Sequence, residues 1–292
     1  MQNTYIISAD IEGISGVVDS SYSNSDGKHY SLACKYMTSD INAVVEGILD
    51  SDPDAKIVVR DAHGSANNVD LLSLHPRAYL MQGWGTSFSM VAPLEKSVRG
   101  VFLVGYHAGG GNSCGVLAHT FSSNIAEVKI NGVVANEASL AAIHAAHYSV
   151  PIVFLSGDDE AVLEANYFSK SSTASAPVLV TVKKSFARNS VLSLPLAEAS
   201  ALLRKGAKEA SAKLLQKKFA PLKVKLPISF EIKLYNTGYR KSLYQHFYEL
   251  LSFDNTLKFD PPNYTFRFKE TTALRGIQRF NMLATLLYSL KD

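Results

Sequence analysis

The amino-acid sequence predicts an α/β fold in which helices flank a mostly parallel sheet and a smaller α+β domain follows. Short, nearly continuous apolar runs alternate with helical patterns, which is typical of parallel strands covered on both faces. Hydrophobic residues make up 47% of the 292 residues, enough for a large core and too many for a disordered chain. The charge also changes sign: residues 1–182 hold 9 Lys and Arg against 18 Asp and Glu, and residues 183–292 hold 20 against 8.

The first half of the chain alternates predicted strands with predicted helices. The segment TYIISAD predicts the first strand, and residues 30–50 predict a helix because apolar residues recur there at helical spacing. Asn136 is expected to cap a helix through EASLAAIHAAHYS. Further extended segments are predicted in AKIVVRDAHG, AYLMQGW, GVFLVGYHA, AEVKINGVV, VPIVFLSGDD and PVLVTVKKSF.

The last third predicts a smaller α+β unit. A long helical pattern covers residues 193–215, and the basic stretch KKFAPLKVKLP reads as a connector. It is followed by a strand, a helix, a strand and a final helix in ISFEIKL, YRKSLYQHFYELL, YTFRFKE and TALRGIQRFNMLATLLYSL. The charge change predicts two domains: residues 1–190 as a larger α/β domain, and residues 191–292 as a smaller α+β domain and a candidate for oligomerisation.

Acids and histidines follow several of the predicted strands. Asp10 and Glu12 end the first strand, two residues apart, so that their side chains point the same way in extended geometry. His63 follows the second strand and His107 the fourth. Since the ligand crevice of an open parallel sheet lies at the carboxyl ends of its strands, these groups are expected to meet. Alone, the D-x-E-G motif is more typical of a surface turn whose acids are solvated or cap a helix.

Two further residues complete the candidate set. His119 lies in CGVLAHT, and Glu137 opens the helix in ANEASLAA. Carboxylates mixed with imidazoles suit Zn²⁺ or a similar transition metal. The set is too large for one four-coordinate ion that also holds a water, so two metals sharing a carboxylate explain it better. Such a pair can hold a bridging hydroxide and polarise a carbonyl, which is hydrolase chemistry.

The ordered series SADIEG, DAHGSANN, GYHA, GVLAHT, NEASLAA and SGDD resembles the DppA-type D-aminopeptidases, self-compartmentalising binuclear zinc peptidases. The resemblance covers residues 5–190 and continues more faintly beyond. It implies two Zn²⁺ per subunit, bound by Asp10, Glu12, His63, His107 and Glu137, with Asp10 as the bridge and His119 as the catalytic histidine. It further implies cleavage of the N-terminal residue from short D-peptides such as D-Ala-D-Ala, and a homo-decamer of two stacked pentameric rings.

Two other functions compete with the peptidase. Cys114 and His119 would suit a cysteine hydrolase, since a thiol and an imidazole can form a nucleophile–base pair. The basic C-terminal half would suit a nucleic-acid-binding protein, with the alternating YTFRFKE as its candidate surface. A strand with one buried face explains that pattern better, so neither a nucleic acid nor a membrane is expected as a partner.

Several residues have two interpretations. Asp61 either orients a ligating imidazole or stabilises a turn. Asp158 and Asp159 either cap a helix or support the site. His144 and His147 suit packing or a subunit interface better than a metal pair. The triple glycine at residues 109–111 predicts a flexible substrate loop, since no phosphate-binding motif follows it.

The sequence predicts a cytoplasmic protein. MQNTYIISAD has neither the basic start nor the long apolar core of a signal peptide, and no window is apolar enough for a membrane span. The chain has 2 cysteines, which suggests free thiols in a reducing compartment.

Overall fold

The computed structural model describes residues 2–85, 89–171, 176–236 and 241–289. Its strands and helices follow one another as β1 (Thr4–Ala9), α1 (Ser20–Ser23), α2 (Tyr30–Leu49), β2 (Lys56–Asp61), β3 (Ala78–Met81), β4 (Val98–Tyr106), β5 (Ile125–Ile130), β6 (Val133–Ala135), α3 (Glu137–His147), β7 (Ile152–Asp158), α4 (Asp159–Ser171), β8 (Val178–Ala187), β9 (Ser190–Ser193), α5 (Leu196–Leu215), β10 (Ile228–Leu234), α6 (Lys241–Leu250), β11 (Lys258–Asp260), β12 (Thr265–Glu270) and α7 (Ala273–Ser289).

The larger sheet has seven strands in the order β3-β2-β1-β4-β7-β8-β9. All neighbouring strands are parallel except the hairpin of β8 and β9. In β1 and β4 almost every residue is buried, as expected for central strands covered on both faces. Helices α2 and α5 pack together on one face, and residues of α3 and α4 join the core on the other. The predicted fold class, a mostly parallel sheet with flanking helices, is confirmed.

The smaller sheet has five antiparallel strands in the order β11-β12-β10-β5-β6. Its core combines the phenylalanines of β10 and β12 with one face of α7. Strands β5 and β6 come from the first predicted domain and β10 to β12 from the second, so this sheet joins the two. Residue 190 itself begins β9, and α5 beyond it packs on α2 of the larger sheet. The division at residue 190 stays a prediction.

Most element boundaries agree with the sequence pattern. Asn136 caps α3 as predicted: its side chain accepts the Ser139 N–H at 2.9 Å, and the Ser139 hydroxyl in turn accepts the Asn136 N–H. The long helix begins at Leu196 rather than residue 193, because Ser190–Ser193 pairs with β8 and Pro195 follows it. The predicted start of the next helix, at residues 239–240, lies outside the described residues. Among the residues described, none of the helices combines the length and the apolar content needed to cross a membrane.

Candidate metal centre

Four of the predicted site residues meet at the carboxyl edge of the larger sheet. Asp10 and Glu12 follow β1, His63 follows β2 and His107 follows β4, and these three strands are neighbours. His63 Nδ1 lies 3.2 Å from Asp10 Oδ1 and 2.9 Å from Glu12 Oε2. His107 Nε2 lies 3.4 Å from Asp10 Oδ2. The two oxygens of Asp10 therefore face two different imidazoles.

Glu137 and His119 extend the same cluster. Glu137 is the first residue of α3, and its Oε2 lies 3.6 Å from His107 Nε2. Its Oε1 accepts the Phe121 N–H at 2.7 Å and lies 3.8 Å from His119 Nε2. The rings of His107 and His119 stack, with centroids 4.2 Å apart. The structure thus brings together all six residues that the sequence predicted for the site.

The tautomer of each imidazole follows from a backbone carbonyl on its far side. His63 Nε2 lies 2.9 Å from the Ser23 oxygen, and His107 Nδ1 and His119 Nδ1 lie at the same distance from the oxygens of Ala108 and Leu117. A carbonyl oxygen only accepts hydrogen bonds, so each of these nitrogens carries the proton. In the neutral rings, the nitrogens that face the carboxylates are bare lone pairs. Metal-ligating histidines are held in this way.

Lone pairs that face carboxylate oxygens need a cation between them. Glu12 Oε2 and His107 Nε2 are buried without a hydrogen-bond partner in the described structure, although Glu12 Oε2 is close to His63. Ligand atoms of Asp10, Glu12 and His107 lie within 4.8 Å of one another, as do those of His107, His119 and Glu137. Nitrogen and oxygen ligands at this spacing fit zinc.

The pKa values show the same demand for positive charge. Burial lowers the pKa of His63 and of His107, but the carboxylates beside them outweigh it and raise both well above the usual range. Burial raises the pKa of Asp10, but the His107 and His63 rings hold it well below its usual value. The pKa of Glu137 is likewise lowered, because the imidazoles of His107 and His119 outweigh burial.

Asp61 stabilises a turn rather than an imidazole. Its carboxylate accepts the backbone N–H groups of Asn68 and Val69 and the Asn68 side-chain amide. That amide also donates to the His63 carbonyl at 2.7 Å. Asp61 therefore shapes the loop that carries His63 without touching its ring.

The glycine loop at residues 109–111 is packed, in contrast to the flexible loop that the sequence suggests. Glu164 accepts the Gly109 N–H at 2.9 Å and the Asn136 side-chain amide at 2.7 Å. Tyr235 donates its hydroxyl to the Gly110 carbonyl at 2.7 Å. A Cβ on Gly110 would lie 2.6 Å from the Ile125 carbonyl, so this position needs glycine for close approach. Sequence reasoning missed Glu164, because nothing near it in the chain indicates these partners.

Asp158 caps a helix, which is one of its two predicted roles, and also binds the loop that leads to His119. One carboxylate oxygen accepts the Ala161 N–H at 2.9 Å, at the start of α4, and the other accepts the Val116 N–H at 2.8 Å, in the loop that leads to His119. Asp159 instead accepts the Ser185 N–H at 2.7 Å. The SGDD segment therefore supports the site from a neighbouring strand.

A model of the family Peptidase_M55, described as D-aminopeptidase, matches residues 4–260. The chain belongs to this family. The D-aminopeptidase of Bacillus subtilis (strain 168) is 33% identical over 197 residues, which are 68% of this chain and 69% of that protein. The solved structure of the Zn-dependent D-aminopeptidase DppA from Bacillus subtilis, a self-compartmentalizing protease, superposes with a TM-score of 0.85 at 27% identity and covers 99% of both chains. The predicted D-aminopeptidase family, and with it the metallopeptidase class, is confirmed.

His144 is not part of the metal cluster of this D-aminopeptidase family member. Its Nδ1 lies 2.8 Å from the Ser89 hydroxyl, beside a cavity of about 620 Å³ between α3, α7 and the loop before β4. Burial, reinforced by the nearby His147, lowers the pKa of His144 to about 4. Its burial and its Ser89 contact agree with packing, one of the two interpretations that the sequence favoured over a metal pair.

The depressed pKa of His144 predicts a pH-dependent stability. Between pH 6.5 and about 4, His144 is protonated in the unfolded chain but neutral in the folded chain. Wild type therefore loses stability as the pH falls toward 4. In H144N this loss is absent. The difference in unfolding free energy between wild type and H144N should therefore shrink by about 2 kcal/mol between pH 7 and pH 5.

Urea unfolding in the presence of a chelator measures this difference. The exposed His246 provides the control, since H246N should follow the wild-type pH dependence. A wild-type and H144N difference that stays constant over this range would contradict the prediction.

Proposed function

We propose that this family member removes the N-terminal residue from short peptides, in particular D-amino-acid peptides such as D-Ala-D-Ala, with two zinc ions per subunit. One observation carries the proposal: buried carboxylates face imidazole nitrogens whose rings are fixed on the far side by backbone carbonyls. Family membership and the zinc dependence of the Bacillus subtilis structure support the same conclusion.

We propose that Asp10 bridges the two ions, because its oxygens face different imidazoles. Glu12 and His63 would complete one side of the centre, and His107 and Glu137 the other. Each imidazole would bind through the ring nitrogen that does not face a backbone carbonyl. Zinc held by these residues would supply a water of lowered pKa and a Lewis acid for the scissile carbonyl.

His119 is proposed as the catalytic histidine. It is the most exposed member of the cluster, with 26% of its side chain accessible against 1% for His107, so it can reach a substrate. Its Nδ1–H is held by the Leu117 carbonyl, which leaves Nε2 as the site of proton exchange. Nε2 would accept a proton released by the attacking water and pass it to the amine nitrogen as the peptide C–N bond breaks.

The structure gives less support to the two alternatives. The nitrogens of His119 are directed to the Leu117 carbonyl and to Glu137, rather than to the exposed Cys114 thiol. The segment YTFRFKE contains β12, whose Phe266 and Phe268 are buried in the core of the smaller sheet. Its Arg267 pairs with Glu231 and Asp260. This segment therefore lacks the exposed aromatic residues of a nucleic-acid-binding sheet.

We further propose that the chain forms a homo-oligomer, a decamer of two pentameric rings, and acts in the cytoplasm. The self-compartmentalizing DppA covers 99% of this chain, which supports a shared assembly. Both cysteines, Cys34 and Cys114, are unpaired, which agrees with a reducing compartment.

Zinc content and turnover test the function together. Wild type should hold two zinc ions per chain by elemental analysis, cleave D-Ala-D-Ala faster than L-Ala-L-Ala, and lose activity to a chelator until zinc is returned. D10A should lose zinc from both positions and fall to background turnover, since each ion loses the shared carboxylate.

Asp54 offers a matched control for that variant, because it is an exposed aspartate outside the site. D54A should keep wild-type zinc content and turnover. A wild-type protein that takes up no zinc, or cleaves the L-peptide as fast as the D-peptide, would contradict the proposed function.

The role of His119 separates from that of the ligands. H119A should keep both zinc ions and lower kcat about 100-fold or more, because a positioned proton donor contributes this much. The matched variant H75A removes a histidine outside the cluster and should leave kcat unchanged. Parallel loss of zinc and activity in H119A would make His119 a ligand, as its distance from Glu137 permits.

Native mass measurement tests the assembly. At low salt the protein should have ten times the 31.8 kDa mass of one chain. If the basic C-terminal half docks on acidic N-terminal halves of neighbouring subunits, moderate salt should dissociate it. A monomer at low salt would refute the decamer. An oligomer that salt does not dissociate would refute the charge-based docking.

A further inference from the structure

Lys183 is a fully buried lysine that binds main-chain oxygens. It lies on β8 and is 1% exposed. Its Nζ donates to the carbonyls of Glu12 at 2.6 Å, Ile14 at 2.8 Å and Val17 at 2.7 Å. An ammonium has three N–H donors, so all of them bind a single segment of chain.

The segment in question, residues 10–17, leaves β1 and crosses the end of β4. The Gly13 N–H donates to the Gly105 carbonyl at 2.8 Å, and a Cβ on Gly13 would lie 2.1 Å from the Tyr106 carbonyl. The Ser15 N–H donates to Asp40 at 2.9 Å. Outside the sheet, the carbonyls of this buried segment need donors other than neighbouring strands. Lys183 donates to three of them, and the Ile14 carbonyl also accepts the Val17 N–H at 3.3 Å.

The same segment carries two proposed zinc ligands. The Asp10 N–H is held by the Val104 carbonyl at 2.9 Å, which continues the strand register. Glu12 lies beyond the strand, and its own carbonyl accepts the shortest of the three Lys183 bonds, while its side chain faces His63. Lys183 therefore binds directly to the backbone of Glu12, the residue whose carboxylate faces His63.

Lys183 also places a positive charge beneath a site of buried acids. Burial lowers the pKa of Lys183 to about 8, while the charges of Asp158, Asp40 and Glu12 oppose the shift. In a buried environment such charges interact more strongly than in water. Of these three acids Glu12 is the one that belongs to the proposed metal centre, so the charge of Lys183 acts there mainly on Glu12 while its donors fix the chain.

We propose that Lys183 is a positioning residue of the metal centre. It holds residues 10–17 so that the carboxylates of Asp10 and Glu12 already face the metal position before metal binds. This inference rests on the proposed zinc function. Because its three donors are taken by carbonyls, Lys183 would act through the main chain of Glu12 rather than on metal or substrate directly.

Zinc affinity of the folded protein tests the inference. K183M keeps the length and apolar stem of the side chain and removes its donors and charge. The neighbouring K184M removes an exposed lysine from the same strand and serves as the matched control. Zinc titration against a competing chelator at 20 °C should give an affinity about 10- to 100-fold weaker for K183M, the usual effect of a residue that supports a ligand, and a wild-type affinity for K184M.

The outcomes distinguish this inference from the function on which it rests. If wild type and K184M bind zinc tightly and folded K183M binds it equally well, Lys183 has no positioning role, whatever its effect on the melting temperature. If wild type binds no zinc, the proposed function fails and the inference fails with it.

Hydrogen exchange of wild type decides the matter if K183M does not fold. Amides of residues 11–17 should be protected in the metal-free protein and change little when zinc is added, because Lys183 already holds the segment. Protection that develops only with zinc would overturn the inference.

Discussion

The metal centre depends on one constraint: buried hydrogen-bond acceptors face one another and require a cation. Backbone carbonyls take one nitrogen of His63, His107 and His119, so in the neutral rings the opposite nitrogens meet carboxylates as lone pairs. Without positive charge this arrangement costs several kcal/mol for each buried carboxylate. Protonated imidazoles or a divalent ion can provide the charge. Because ligands must be deprotonated to bind metal, zinc uptake and proton release are coupled here.

The order of strands in the larger sheet makes this concentration of acids possible. Strands β2, β1 and β4 are neighbours, and each ends in a short segment that carries a proposed ligand. The sheet fixes their backbones, since almost all of β1 and β4 is buried. Glu137 comes from another layer and is placed by the Asn136 cap of α3. A rigid scaffold therefore holds groups that would otherwise separate by repulsion.

The sequence predicted the parts of this arrangement that have local signals. The apolar runs identified the strands, and polar residues at their ends identified Asp10, Glu12, His63 and His107. Long-range partners lacked such signals. The pairing of β5 with β10 joins residues 125–130 to residues 228–234 and creates a second sheet across the predicted boundary. Lys183 lies in VTVKK, and a lysine in such a segment is typical of a solvent-exposed strand position. Its burial could not be predicted locally, because it depends on where residues 10–17 fold.

The buried charges around the metal centre bind backbone groups, which leaves the carboxylates of the centre without a lysine or arginine partner among the residues described. A buried lysine near acids would ordinarily pair with one of them and neutralise it, but the three donors of Lys183 bind carbonyls instead. Asp61 and Asp158 bind backbone amides, and their charges are partly balanced there. The carboxylates of Asp10, Glu12 and Glu137 thus keep their attraction for a divalent ion. Had Lys183 reached one of them directly, its ammonium would compete with metal for the same oxygens.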